Sequence, residues 1–400
     1  MKLGLLVPRY GVEVVGGTEH WLRLLCEHLA ADRGWAVEVW TTCAVSAATW
    51  ADEYPAGTVS VHGVTVHRHR SESGRNPDYL HQLPRLRRDP GAWSDVDAMD
   101  YIRLVGPVCP DAAGAAVDAA AGGALDLLAV TPYLYWPTVT AVPRAGRRVI
   151  FHGAAHDEPE LYLPIMGDVF QAVGGFAFNS YAERELVERR FQVGHLPSRV
   201  IGNAVDEGHG DPARARAALG LDPDEPFVLC LGRVERAKGS EALAALWRTY
   251  AERRSGAGRL VFLGPDHETR TEPAGGPVVR AGRQPDEVKW GALAACELLI
   301  APSAQESFSL VVLEAWLAGR PVLVNGRCGP TVEHCRRSGG GVWFEQYGDF
   351  EAGLDRLLGD PSLRHEMGAR GGAYARREFA WPRILDRYED LARTIVGRRG

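Results

Sequence analysis

The stretch Ala301-Pro-Ser-Ala-Gln-Glu306-Ser-Phe-Ser309-Leu-Val-Val-Leu-Glu314-Ala-Trp-Leu-Ala-Gly-Arg-Pro321 sets two glutamates eight residues apart across a junction from loop to helix. Upstream, Glu297-Leu-Leu-Ile-Ala-Pro302 is a short apolar run ending in proline, which fits a buried parallel strand. From Ser307 to Ala318 the spacing turns helical and is closed by Gly319 and Pro321. Glu306 therefore precedes the helix and Glu314 lies within it. On one helix, a separation of eight would turn the carboxylates about 80° apart at ~3.6 residues per turn, so they serve different parts of a ligand. Ser307 or Ser309 can cap the helix, leaving the amides of Ser309, Leu310 and Val311 pointing outward with the positive end of the dipole, ready for a phosphate. A carboxylate one to two turns further in can reach a diol. The same residues also fit a surface helix with a capping serine and two solvated glutamates.

The strand-then-helix rhythm of this stretch extends along the chain. Strands are expected at Leu3 to Val7, Ala36 to Thr41, Val64 to Arg68, Leu127 to Val130, Val149 to His152 and Gly174 to Asn179. Gly16-Gly17-Thr18-Glu19 opens the helical run His20 to Ala31, and Ser180-x-x-Glu183 reads as a capping box. After a linker-like segment around Asp206 to Pro212 and a short helix at Ala213 to Leu219, the pattern restarts. Strands are expected at Phe227 to Leu231, Arg259 to Leu263, Val278 to Ala281 and Leu298 to Ala301, with helices at Glu241 to Arg253 and Asp286 to Ala295. Such alternation, twice over, implies two doubly wound α/β domains in tandem, with ligands bound beyond the carboxyl ends of the strands.

Composition narrows the class. The 400 residues exceed what one core usually organises, and 46% apolar with 24% charged residues is a soluble globular balance. A formal net charge of −6 argues against a general nucleic-acid binder. Between His67 and Arg88, however, six arginines stand against Glu72 and Asp78, a formal +4, read either as a solvated loop or as contact with an anionic acceptor or membrane surface. The seven cysteines include no Cys-x-x-Cys pair, pointing to a reducing compartment and away from structural zinc. No convincing signal peptide or membrane span is present. Cytoplasmic placement is expected, with peripheral contact at the inner membrane face left open.

One more motif completes the set. After Phe227 to Leu231 comes Gly232-Arg233-Val-Glu-Arg-Ala-Lys238-Gly239, which puts two cations on a glycine-bounded loop suited to a diphosphate. Together, Gly-Arg-x4-Lys-Gly, Glu-x7-Glu, Ala-x-x-Ala-Gly-Arg-Pro-Val at 315–322, Gly-Asn-Ala-Val-Asp at 202–206, Gly-Gly-x-Glu at 16–19, His152 and Phe379-Ala-Trp381 follow one order over nearly the whole chain. In this the chain resembles the retaining GT-B glycosyltransferases of family 4, the glycosyl transferases group 1. The resemblance implies two Rossmann-like domains facing a central cleft. Residues 1–203 would form the acceptor side and 204–377 the donor side, with 378–400 a terminal helix crossing back to the first domain.

The resemblance also implies roles. Arg233 and Lys238 would hold the donor diphosphate, Glu314 the ribose hydroxyls, and Glu306 the hydroxyls of the transferred sugar. The amides of Ser309, Leu310 and Val311 would receive the distal phosphate, Gln284 would mark where backbone meets the base, Gly16 and Gly17 would face the phosphate from the other domain, and His152 would lie near the reacting sugar. The implied activity is metal-independent hexosyl transfer with retention, from a nucleoside-diphosphate sugar to a hydroxyl of a glycan, lipid-linked or small acceptor, with no cofactor and no nucleic-acid partner. A nucleotide-sugar 2-epimerase of the same fold and a non-catalytic sugar-nucleotide binder are the alternatives. Asp95-Val-Asp97 and Asp222-Pro-Asp224 are read as loop acids rather than metal ligands. Family members commonly carry glycine where Ser307 and Ser309 stand, which loosens the phosphate-loop details. The region from Ser46 to Cys109 matches no motif.

Overall fold

The computed structural model describes residues 1–14, 16–266, 272 and 275–398. It divides into two compact units, Met1–Gly202 with Ile384–Gly400, and Asn203–Arg383.

The first unit is built on eight strands: β1 (Lys2–Leu6), β2 (Ala36–Thr42), β3 (Gly57–Val61), β4 (Val64–His69), β5 (Leu127–Val130), β6 (Val149–Phe151), β7 (Gly175–Phe178) and β8 (Ser198–Val200). Their order is β3-β4-β2-β1-β5-β6-β7-β8, parallel throughout except for the edge hairpin β3–β4. That hairpin turns through His62 and Gly63, both at positive φ, the pairing a tight two-residue turn requires. The central strands β5 to β7 are buried along their whole length, as expected of strands covered on both faces. Phe176 and Phe191 stack on Phe170, which Phe151 meets edge-on. Each such ring contributes roughly 1.5–3 kcal/mol by burial.

The second unit carries β9 (Phe227–Leu231), β10 (Arg259–Leu263), β11 (Val278–Arg280), β12 (Leu299–Ala301), β13 (Val322–Asn325) and β14 (Gly341–Phe344), all parallel in the order β11-β10-β9-β12-β13-β14. In each sheet the strand order reverses once, between β1 and β5 and between β9 and β12. A parallel sheet binds ligands in the crevice beyond the strand ends at such a switch point.

The last helix, Trp381–Gly397, belongs to the first unit from Ile384 onward. Ile395 lies on the backbone of Gly174 and Gly175, where a Cβ would come within 3 Å of it. Arg387 donates to the Ile201 carbonyl, and Asp386 and Asp390 pair with Arg33 and Arg199.

Several local expectations are corrected. The arginine-rich segment is a loop only over residues 70–78, since it also comprises the end of β4 and the helix Tyr79–Arg88, whose Arg85 bonds Asp97 and lies over Trp93. Asp95 and Asp97 are likewise not loop acids. They open the helix Asp95–Val105, where Ser94 and Asp97 cap each other. The capping box at Ser180 is half formed: Ser180 Oγ accepts from the Glu183 amide, but Glu183 turns inward and accepts from the amides of Asn179 and Ala155. Burial pushes that carboxyl up to about 7. It ties the end of β7 to the loop after β6.

Candidate functional site

In the second unit the site grows from the ends of the two strands that flank the switch point. β9 feeds the loop Gly232 to Gly239, and β12 feeds Pro302 to Ser309. The loops meet at Gly239, whose φ is 79° and whose absent Cβ would lie 2.9 Å from the Pro302 carbonyl oxygen. Only glycine meets both demands at no cost. The Asn325 side chain donates to the same carbonyl at 2.9 Å, and Ser303 Oγ donates to the Gln305 carbonyl, so the loop is held from two sides.

This contact brings Lys238 and Glu306 together, with Nζ 2.8 Å from Oε1 and both side chains half-buried. Arg233 instead pairs with Glu235 at 3.3 Å and keeps about half its side chain exposed, at 53%. Glu314 sits in the helix Leu310–Leu317 and binds Lys289 Nζ at 3.0 Å. Lys289, in the helix Asp286–Ala295, has no part in the sequence reading. Its signal there is confined to the spacing from Asp286, an i,i+3 pair at 3.4 Å. Burial alone would lower its pKa, but Glu314 and Asp286 outweigh it and the net direction is up. Both carboxylates of the Glu-x7-Glu motif are thus paired with a lysine.

Ser309 is the residue before the helix, yet its side chain makes no capping bond, contrary to expectation. Its backbone lies in the left-handed region at φ 75°, where an L-residue is strained. This explains why the resembled family carries glycine there. The helix is also shorter than expected and starts at Leu310, so the amides of Ser309, Leu310 and Val311 are those of an N-terminal turn with no intrahelical acceptor. Behind the loop, Phe308 packs edge-on to His334 and Phe379. Burial pushes the His334 imidazole down to about 4. Gln284 follows β11, and its side chain donates to the Ala281 carbonyl at 2.7 Å.

The first unit holds the remaining expected residues. Gly16 precedes the helix Gly17–Arg33 in extended backbone, so strain is not what selects glycine. Space is the reason: a Cβ at Gly16 would collide with Glu19 and lie 3.2 Å from Arg9 Nη2, while Gly17 faces open space. His152, just past β6, is only 2% exposed. Its Nε2 lies 3.1 Å from the Tyr388 hydroxyl, its ring stacks on Tyr388 and tilts against Trp21, and its Nδ1 is buried with no protein partner. Burial pushes it down to about 3, so the ring is neutral in ordinary buffers.

Among the described residues, no group of three His, Cys, Asp or Glu side chains is arranged to hold a metal ion, and no helix is long and apolar enough to cross a membrane. All seven cysteines are free and buried.

The sequence profile described as glycosyl transferases group 1 matches residues 211–373, which span most of the second unit and both loops of the site. Over that segment the chain is similar to the glycosyl transferases of group 1. Among curated proteins, it is 30% identical over 230 residues to the D-inositol 3-phosphate glycosyltransferase of Segniliparus rotundus, covering 51% of each chain. The chain spans about half the length of the curated relatives it matches, 51% and 58% for two of them. Among solved structures, sucrose-phosphate synthase from Thermosynechococcus elongatus aligns with a TM-score of 0.73 at 19% identity, over 99% of both chains. Anabaena Alr3699/HepE in complex with UDP-glucose aligns with a TM-score of 0.66 at 17% identity, over 99% of this chain and 100% of that one. At these identities the structural matches establish the shared GT-B fold.

Proposed function

We propose that this chain is a group 1 glycosyl transferase that moves a sugar from a nucleoside-diphosphate sugar to a hydroxyl acceptor, with retention of configuration and without a required metal. The observation that carries the reading is the convergence of Arg233, Lys238, Glu306 and the first amides of the helix Leu310–Leu317 on one switch point.

The chemistry needs what this set offers. When the bond from the anomeric carbon to the β-phosphate oxygen breaks, negative charge builds on the phosphate. Two cations and a helix N-terminus placed before the reaction can stabilise it at no cost in reorganisation. In the resting site Lys238 is neutralised by Glu306. On donor binding the ammonium turns to the diphosphate, and the carboxylate is released to accept from hydroxyls of the sugar. Glu314 accepts from the ribose diol while remaining oriented by Lys289. The acceptor oxygen then bonds to the anomeric carbon on the face the diphosphate leaves, and its proton passes to the departing phosphate oxygen. No protein nucleophile is required. The buried His152 of the first unit is neutral and so is no proton source at neutral pH.

UDP-sugars are the first donors to test, because a structural neighbour was solved with UDP-glucose. The experiment screens UDP-, GDP-, ADP- and TDP-sugars against a panel of alcohols, reads the anomeric configuration of the product by NMR, and repeats the best pair with a chelator. The expected result is an axial donor giving an axial product, with activity unchanged by the chelator. Lys238→Ala and Glu306→Ala should each lose at least about a thousandfold in kcat/KM while remaining folded. Full activity in either variant contradicts the assignment.

A further inference from the structure

The loop that carries Glu306 is held from behind by a segment that has no part in the donor chemistry. This segment runs from Asn325, the last residue of β13, into the helix Gly329–Ser338. It meets the loop at three places. The Asn325 side-chain amide donates to the Pro302 carbonyl at 2.9 Å, the Cys328 sulfur lies against the Glu306 backbone amide, and the His334 ring packs against Phe308. Cys328 and His334 are each only 1% exposed, so the support is a packed one.

Asn325 is committed at both ends of its side chain. Its Oδ1 accepts from the Arg327 amide at 2.9 Å, and since a backbone N–H must meet an oxygen, the side-chain nitrogen is left to face the Pro302 carbonyl. The residue is anchored in turn. It pairs with Phe344 at the end of β14, and the next residue, Gly326, donates to the Phe344 carbonyl at 2.7 Å. A Cβ at Gly326 would come 2.6 Å from Glu345 Cγ, so the turn sits closer to β14 than a larger residue allows. Two strands of the sheet therefore stand behind the bond to Pro302.

That bond ends on the atom where the two loops of the site meet. The Pro302 carbonyl oxygen is the group against which Gly239, the residue after Lys238, is closed. Four residues beyond Pro302 stands Glu306, which holds Lys238 Nζ at 2.8 Å. A peptide free to rotate at Pro302 would loosen the Gly239 contact and the Lys238–Glu306 pair together. Charge stabilisation tolerates little of this, because its groups must stay within about 0.5 Å of the productive geometry.

We infer that Asn325 is a positioning residue, which through the Pro302 carbonyl sets the place of Lys238 for the donor diphosphate. The inference rests on the transferase reading and adds to it a residue that acts through the two loops.

The test uses two uncharged variants of the whole chain. Asn325→Ser keeps a short acceptor for the Arg327 amide but does not reach Pro302, and Asn325→Ala removes both bonds. UDP, GDP, ADP and TDP are titrated into the wild type by calorimetry. The tightest of them is then titrated into each variant, alone and combined with Lys238→Ala. Each single variant should bind about three- to tenfold more weakly than wild type, the worth of one hydrogen bond. Added to Lys238→Ala, neither change should weaken binding further, because the loss travels through the lysine. A merely structural role would lower Tm and give the same fold loss in both backgrounds. That result, or wild-type affinity in Asn325→Ser, would overturn the inference, and Asn325→Ser decides the matter if Asn325→Ala does not fold. A wild type that binds none of the four nucleotides overturns the transferase reading and the inference with it, whereas equal binding by wild type and variants overturns the inference alone.

Discussion

In the second unit each lysine of the site has a carboxylate partner, Lys238 with Glu306 and Lys289 with Glu314. In the first unit Arg68 lies over the Tyr54 ring and Arg75 over that of Trp50. Both clusters stand at the carboxyl ends of a parallel sheet, yet carboxylates hold the lysines of one and aromatic rings hold Arg68 and Arg75 in the other. A neutral cluster can exchange partners: a polyanion takes the lysine and hydroxyls take the carboxylate.

The largest effect that would sharpen this contrast within the second unit concerns Glu314. If Glu314 accepts from the ribose as proposed, Glu314→Gln should raise the donor KM by about 10–100-fold, corresponding to the ~1.5–3 kcal/mol of a hydrogen bond to a charged group. Lys289→Met removes only the residue that orients Glu314, and should raise KM several-fold with kcat nearly unchanged. If Lys289→Met proves worse than Glu314→Gln, the lysine itself meets the ligand and the partner-exchange account fails.

A second contrast lies in stability against acid. Burial holds His334 near 4 where the unfolded chain has about 6.5, so the unfolded state binds more protons between these values. The contribution of His334 to stability is therefore fully present above about pH 6.5 and is lost as pH drops toward 4, by roughly 1.4 kcal/mol per unit. His334→Phe keeps an aromatic ring beside Phe308 and should flatten this slope by about 3 kcal/mol across the window. Urea melts at pH 7 and pH 4 measure it, and equal slopes in variant and wild type would show that His334 is not the group responsible.

The smallest effect tests strain. Gly16 is extended and unstrained, whereas Ser309 sits at φ 75°. An L-residue in this region costs ~1–2 kcal/mol, and a glycine returns ~0.5–1 kcal/mol of that in unfolded-state entropy. Ser309→Gly should therefore stabilise the protein by about 0.5 kcal/mol, seen as a rise in Tm of a few degrees at most. A fall in Tm would mean that the serine hydroxyl contributes more than the strain removes.

How much of this was legible in the chain follows the same division. The second unit's strands and its helix Asp286–Ala295 carry clean periodicity, and its site lies on two short motifs at the strand ends, so the spacing of Arg233, Lys238, Glu306 and Glu314 could be read locally. The strands β13 and β14 were not read, being four residues each and hidden between helices that dominate the pattern. Lys289 escaped notice because its partner is 25 residues away in another helix. The first unit's cluster was visible only as an arginine excess. Which arginines turn inward depends on Trp50, Tyr54 and Tyr135, placed there by tertiary packing, and no periodicity in Ser46 to Cys109 signals it. Glu183 misled for a related reason. Its spacing from Ser180 matches a reciprocal cap, but two buried amides from other segments compete for the carboxylate and win.

The central claim is that Lys238 of the second unit trades Glu306 for a diphosphate. Calorimetric titration of UDP, GDP, ADP and TDP into wild type and Lys238→Ala tests it most directly. The account predicts that one of these nucleotides binds the wild type and binds Lys238→Ala at least tenfold more weakly, with unchanged thermal stability in the free protein. Equal affinity for that nucleotide in the two proteins would contradict it.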